Sequence, residues 1–314
     1  MIKNYFFTFT KVSIATTTLL VSFLSHAQKA KIFTTADFDL SGNVKYCLVS
    51  TDYGKEEFNF NEDGFLTKLK TLYSNDSDYD ITYYKYGNGE ILEKRVENYR
   101  DGIFDKNTSI ANIYTIDTTH TKKKITEKII SYAKEFLDQY EYTYDEEGKL
   151  VNIVRNNEEG IENTIVAYAN VKGEVTTTYT IDGELQKSIR VSEHKTKAYI
   201  MQRIELTKEY LEGKPHKAVE QIFNTNDKLV SENTFFYDTI SNSFVSQELK
   251  TLTYNDLGIV SEIKTKTGKS VVVKNFIYQY DNGDKGNWIK QIITPDNTYI
   301  TRKIKYYETP VIEE

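Results

Sequence analysis

The stretch Tyr140-Glu-Tyr-Thr-Tyr-Asp-Glu-Glu-Gly-Lys-Leu-Val-Asn-Ile-Val154 reads as strand, tight turn, strand. Tyr140, Tyr142 and Tyr144 alternate with Glu141 and Thr143. Successive strand side chains point to opposite faces, so the three rings share one face. Asp145-Glu-Glu-Gly148 then turns the chain. Asp bonds to backbone just ahead of it, and Gly accepts positive φ without a Cβ clash. Leu150, Val151, Ile153 and Val154 supply the returning strand. The stretch predicts a β-hairpin with Gly148 at positive φ and Tyr142 in a core.

The same grammar recurs in varied form from residue 50 onward. Phe58-Asn-Phe60 leads into Asn61-Glu-Asp-Gly64, Tyr84-Lys-Tyr86 into Gly87-Asn-Gly89, and Tyr254 into Asn255-Asp-Leu-Gly258. Tyr278-Gln-Tyr280-Asp281 runs through Gly283 and Gly286 to Trp288-Ile289. The turn glycines recur about every 25 residues, a spacing that means a repeat architecture. It is too short for a βαβ unit and suits two strands with their turns.

The Tyr-x-Tyr-Asp-x-x-Gly-x-Leu form at 142–150 resembles the YD repeat of Rhs-type bacterial surface proteins. The unit Tyr280-Asp281 to Gly286-Asn-Trp-Ile289 is similar to a variant common in secreted bacterial proteins of unknown function. Other units lack the Tyr-Asp pair: Tyr86 precedes Gly87, and Phe60 precedes Asn61. In Rhs-type proteins such repeats build a curved β-shell around a toxin. This chain has too few repeats to enclose a cargo, so the resemblance implies only an extended antiparallel sheet.

The N-terminus carries an export signal. Lys3 and Lys11 precede an apolar run from Val12 to Leu24, and Ser25-His-Ala27 supplies small residues at −3 and −1. Residues 1–27 read as a secretory leader cleaved before Gln28. Thirteen apolar residues fall short of the ~20 needed to span a bilayer as a helix. Loss of the two leader lysines moves the net charge from −6 to −8. That argues against nucleic acid, whose binding rests on clustered Lys and Arg. The one cysteine, Cys47, reads as a small buried hydrophobe.

Residues 28–314 form one β-repeat domain, with the least patterned stretch, 100–124, as a subdomain joint. Asp76, Asp78 and Asp80 have the opening spacing of a calcium loop, but Ile81 and Gly87 stand where Gly and Glu are needed. Ile125 to Asp138 shows helical as well as strand spacing and is read as two strands. The same ambiguity attaches to 199–211.

Catalytic signatures are missing. His120, His194 and His216 lie far apart without metal spacing. Gly87-Asn-Gly89 is a hairpin turn with no helix behind it to hold a phosphate. Asp145, Glu146, Glu147 and Asp281 sit at turns, where acids are usual. No cofactor or metal is expected. The aromatic residues are the richest functional material, and Trp288, Tyr280 and Tyr278 are the candidate ligand contacts.

The sequence therefore predicts an exported all-β protein, its antiparallel hairpins forming an extended curved sheet or an open barrel-like roll of about a dozen strands. It is read as a non-catalytic binding or structural protein of the bacterial periplasm or cell surface. A glycan, a peptide or another envelope protein is its partner, and it is not integral to a membrane. The alternatives are a polysaccharide-active enzyme and a lipid or lipoprotein carrier.

Overall fold

The computed structural model describes residues 31–74, 77–118, 122–133, 135–284 and 286–308. The leader and its cleavage site, Asp76, His120 and the tail from Pro310 lie outside the described residues. After a short 3-10 turn at Thr35–Phe38 come β1 (Val44–Thr51), β2 (Gly54–Phe60), β3 (Leu66–Tyr73), β4 (Tyr79–Gly87), β5 (Glu90–Arg100) and β6 (Ile103–Asp117). The middle of the chain forms β7 (Lys124–Ser131), β8 (Phe136–Tyr144), β9 (Leu150–Asn157), β10 (Gly160–Val171), β11 (Glu174–Ile181), β12 (Glu184–Lys195) and β13 (Met201–Leu211). The remainder forms β14 (Lys214–Phe223), β15 (Leu229–Asp238), β16 (Ser243–Tyr254), β17 (Val260–Thr267), β18 (Ser270–Asp284), β19 (Trp288–Thr294) and β20 (Thr298–Tyr306).

Each strand pairs antiparallel with the next, and β20 returns to pair with β1. The sheet is thus a closed up-and-down barrel of twenty strands, not an open roll of a dozen. Following cross-strand partners once round the sheet returns to β1 about 22 residues from the start. With twenty strands, that shear sets a strand tilt of about 40° and a backbone diameter of about 35 Å.

Bulges explain the closure. One falls immediately before Phe60, Tyr86, Tyr144, Phe223, Tyr254 and Tyr280, in each case as the strand nears the same end of the barrel. A bulge bends its strand and increases local twist, so a bulge repeated hairpin after hairpin curls the sheet. Closure removes every sheet edge.

The hairpins form as the alternation dictates. β8 and β9 pair Tyr142 with Ile153, Gly148 has φ 77°, and Tyr142 is 4% exposed. Residues 125–138 fall in two strands, and 201–211 in one. The stretch expected to be a joint contains β6, a strand of 15 residues paired on both sides.

One turn design recurs. Asp145 Oδ1 accepts the backbone N–H groups of Glu147 and Lys149, and Asn224 and Asn255 do the same two and four residues ahead. Asn61 Oδ1 accepts the Phe65 N–H four residues ahead, and five residues after Asn61, Asp145, Asn224 and Asn255 stand Leu66, Leu150, Leu229 and Val260. The carbonyl of each accepts the hydroxyl of a tyrosine on the following strand: Tyr86, Tyr168, Tyr254 and Tyr278, at 2.6 to 2.8 Å. Each tyrosine fastens one hairpin to the base of the one before it. The hydroxyl is satisfied while the ring covers apolar wall.

Candidate functional site

Cross-strand partners share a face, so the register sorts every strand into an inner and an outer row. The inner row is identified by what it encloses. Residues 33–40, just before β1, lie against side chains from well-separated strands. Phe33 meets Tyr84 of β4 at 5.9 Å between ring centroids, and Phe38 meets Phe58 of β2 at 4.6 Å. Arg302 of β20 donates Nη2 to the Phe38 carbonyl at 2.8 Å. Asp39 feels the charges of Arg302 and of Lys228, although burial dominates and raises its carboxyl. The segment therefore crosses the tyrosine-rich end of the lumen.

Two apolar clusters line that end. One gathers Phe33, Leu40, Val44, Cys47, Phe58, Phe60 and Leu66. The other gathers Ile125, Tyr142, Tyr144, Leu150, Val166, Tyr179 and Ile189. Cys47 is buried as expected, and burial pushes its thiol up to about 11. Beside the second cluster, Glu127 accepts Asn112 Nδ2 at 2.7 Å, the Tyr114 hydroxyl at 2.8 Å and the Tyr142 hydroxyl at 3.0 Å. Burial, then the Glu127 charge, pushes both tyrosine hydroxyls far above their ordinary range.

On β13 to β16 the inner wall turns polar. Glu205, Gln221, Glu232 and Lys250 are consecutive cross-strand partners on β13 to β16. Arg203 reaches Glu205 at 3.1 Å, and Gln221 Nε2 donates to Glu232 at 2.9 Å. Lys250 lies 3.6 Å from Glu232 and 3.0 Å from Glu248. Burial lowers the Lys250 ammonium, but bonds and charges from Glu248 and Glu232 outweigh it and hold the group above its ordinary value. On β8 and β9 Arg155 holds Asp138 through Nε and Nη2, the latter at 2.8 Å.

Trp288, Tyr278 and Tyr280 do stand together, on the inner wall at the tyrosine-rich end. Trp288 is 5% exposed, with the Arg302 guanidinium 3.4 Å from its ring and Tyr278 beside it at 5.8 Å. Burial lowers Arg302 to about 10. The Tyr278 hydroxyl donates to Val260 and accepts from Gln291, and the Tyr280 hydroxyl accepts from Asn255. Sequence reasoning missed Arg302, Glu127 and the polar row. Arg302 stands among Lys303 and Lys305 with nothing local to set it apart.

Of the acidic triplet at 76–80, the two described members diverge. Asp78 accepts the backbone of Asp101, and Asp80 binds Arg100 and the Tyr73 hydroxyl. Among the described residues no three His, Cys, Asp or Glu side chains gather as a metal site.

The outer rows are rich in charge at mid-strand: Glu57, Lys68, Lys70, Arg95, Lys128, Glu220, Lys264 and Lys303 all point outward. On β4 to β6 outer aromatic side chains stack on one another. Tyr79 packs on Tyr99 at 4.5 Å with Lys70 over its ring at 4.2 Å, and Tyr99 meets Phe104 at 5.6 Å.

Fold and wall together define a closed antiparallel β-barrel with charge on its outside and an inner wall that is aromatic on some strands and polar on β13 to β16. No family model matches the chain, and no curated protein matches it. Among solved structures, a porin-like protein from Bacteroides uniformis is similar at 10% identity and TM-score 0.31, covering 83% of this chain and 96% of its own. A porin-like protein from Bacteroides vulgatus is similar at 10% identity and TM-score 0.25, covering 85% and 99%. A chain of a TcdB2–TccC3–Cdc42 structure is similar at 11% identity and TM-score 0.16, covering 83% and 19%. Likenesses this remote bring neither a function nor a location to this chain. Among the described residues no helix is long and apolar enough to cross a membrane.

Proposed function

We propose that the chain is an exported barrel standing in water, a non-catalytic binding or structural protein of the periplasm or cell surface. The observation that carries this is the outer wall. A strand-built membrane barrel presents an apolar band about 25 Å tall to lipid, and Lys or Arg at its middle costs about 2–4 kcal/mol each. Here the middle of the outer wall holds Lys68, Lys70, Arg95, Lys128 and Lys264. The lumen also speaks against an apolar carrier, since Glu205, Glu232 and Lys250 line it and buried charge of this kind repels a hydrocarbon ligand. Those same groups, already bonded to one another, form the polar wall against which a glycan or peptide partner would bind. The turn-and-tyrosine unit supports reading the chain as a degenerate repeat protein of the YD kind.

The deciding experiment expresses the full chain with its leader in an exporting bacterial host and fractionates the cells. The chain is expected in the osmotic-shock or culture fluid without detergent. Retention in carbonate-washed membranes until detergent is added would overturn the water-standing barrel, and hydrolysis of a glycan by the purified protein would overturn the non-catalytic reading.

A further inference from the structure

Lys94, Asn112 and Glu127 are neighbours on the inner wall, and two of them are incompletely bonded. Lys94 of β5 is the direct cross-strand partner of Asn112 on β6. Asn112 is 9% exposed, and its Nδ2 donates to Glu127 at 2.7 Å. Its Oδ1 is buried and has no partner among the described residues. The Lys94 ammonium likewise makes no ion pair or side-chain hydrogen bond among the described residues. Tyr84 of β4 stands opposite Lys94 on its other side, and the Tyr114 and Tyr142 hydroxyls bond to Glu127.

We propose that Lys94 and Asn112 join covalently, in an isopeptide bond that Glu127 helps to form. Opposed Cβ atoms lie about 4.5–5.5 Å apart, a gap that the flexible lysine stem spans with slack, so Nζ can reach the Asn112 Cγ. Glu127 takes a proton from the Lys94 ammonium and leaves a neutral amine to attack Cγ. The Nζ–Cγ bond forms and the Cγ–Nδ2 bond breaks. Nδ2 takes its proton from the Glu127 carboxyl that it already touches, and leaves as ammonia. An ammonium and a carboxamide thus become an amide and an ammonium ion, with no oxidant or added cofactor. Burial of Asn112 keeps water from competing for Cγ. The link would pin an irregular pair of strands: Val96 pairs with Ile110, but Asn98 pairs with Asp105. Cys47 is the one cysteine, so no internal disulfide can do this.

Tryptic peptide mapping of the purified wild type by mass spectrometry tests this. Trypsin does not cut after an acylated lysine, so peptide 86–95 is expected joined to peptide 107–122, with the mass of the two less one ammonia. The map is needed because Gln28, at a cleaved N-terminus, also loses ammonia when it cyclises, which makes the intact mass ambiguous. Lys94→Arg is expected to give only separate peptides. Glu127→Gln, refolded from urea as unlinked chain, is expected to join more slowly than the wild type by about 10²-fold or more. Separate peptides 86–94 and 107–122 from the wild type would overturn the proposal, and so would equal joining rates in Glu127→Gln and the wild type. If Glu127→Gln fails to fold, the wild-type map decides alone: the joined species supports the bond and its absence overturns it.

Discussion

The hydroxyl of Tyr307 donates to the carbonyl of Phe60 at 2.7 Å, joining residues 247 apart in the chain. This bond repeats, at the seam, what Tyr86, Tyr168, Tyr254 and Tyr278 do between neighbouring hairpins. The Tyr307 backbone N–H also donates to Asn43 at 2.8 Å, so the last strand is tied to the entry of the first.

Tyr307→Phe is therefore expected to destabilise the barrel by about 1 kcal/mol, the net worth of one hydrogen bond. Tyr254→Phe, which removes the same bond between internal hairpins, should cost about as much. Thermal melts of the two variants measure this. A Tyr307→Phe melting temperature equal to that of the wild type would mean that the seam does not depend on the bond.

Two glycines separate backbone strain from steric overlap. Gly148 has φ 77° with open space where a Cβ would stand, so Gly148→Ala should lose only the left-handed penalty, about 1–2 kcal/mol. Gly54 has φ 148°, and a Cβ there would lie 2.2 Å from the Leu72 carbonyl oxygen. Gly54→Ala should cost clearly more, because the β2–β3 backbone must move. Chemical denaturation of both reads the difference, and equal midpoints would contradict the geometry.

The hairpins, the tyrosine faces and the turn at Gly148 were legible because each is set by residues close in sequence. Ile125 to Asp138 shows partly helical spacing, but Ile130 pairs with Phe136 and the stretch divides between β7 and β8. Closure was not legible. It depends on Val44 meeting Tyr306 and on bulges before residues such as Tyr86 and Tyr144, which have no signature in composition. Trp288 beside a turn looked free to meet a ligand. Its cover comes from Arg302, whose partners Phe38 and Asp39 lie at the other end of the chain.

Alkaline pH should unfold the protein through its tyrosines. Burial pushes Tyr84, Tyr144, Tyr179 and Tyr278 up to about 12 from an ordinary value of 10.0. A raised folded value means the folded state holds protons that the unfolded chain releases. That stability is fully present below pH 10 and falls as pH rises from about 10 to 12. Tyrosinate absorbance and circular dichroism, followed together, should change in one cooperative step in that window. Stepwise ionisation of these tyrosines with the fold intact would refute it.

Tyr142 and Glu127 give the sharpest separation of packing from hydrogen bonding. Tyr142 is buried among Ile125, Tyr144 and Leu150, and its hydroxyl donates to Glu127, which also accepts Tyr114 and Asn112. Tyr142→Ala removes the ring and leaves a cavity, so a loss of about 3–5 kcal/mol is expected, as for other buried aromatic truncations. Tyr142→Phe keeps the ring and removes one of three donors from a carboxylate, where bonds to charged groups are worth about 1.5–3 kcal/mol. Glu127→Gln removes the charge but keeps an acceptor, and it should relieve the upward push on both tyrosine hydroxyls. Glu127→Gln should therefore lower the ionisation of Tyr114 and Tyr142 themselves, while Tyr142→Phe should lose stability without lowering that of Tyr114. If Tyr142→Phe is as damaging as Tyr142→Ala, the hydroxyl rather than the ring holds this wall of the barrel, and the packing account of the second cluster fails.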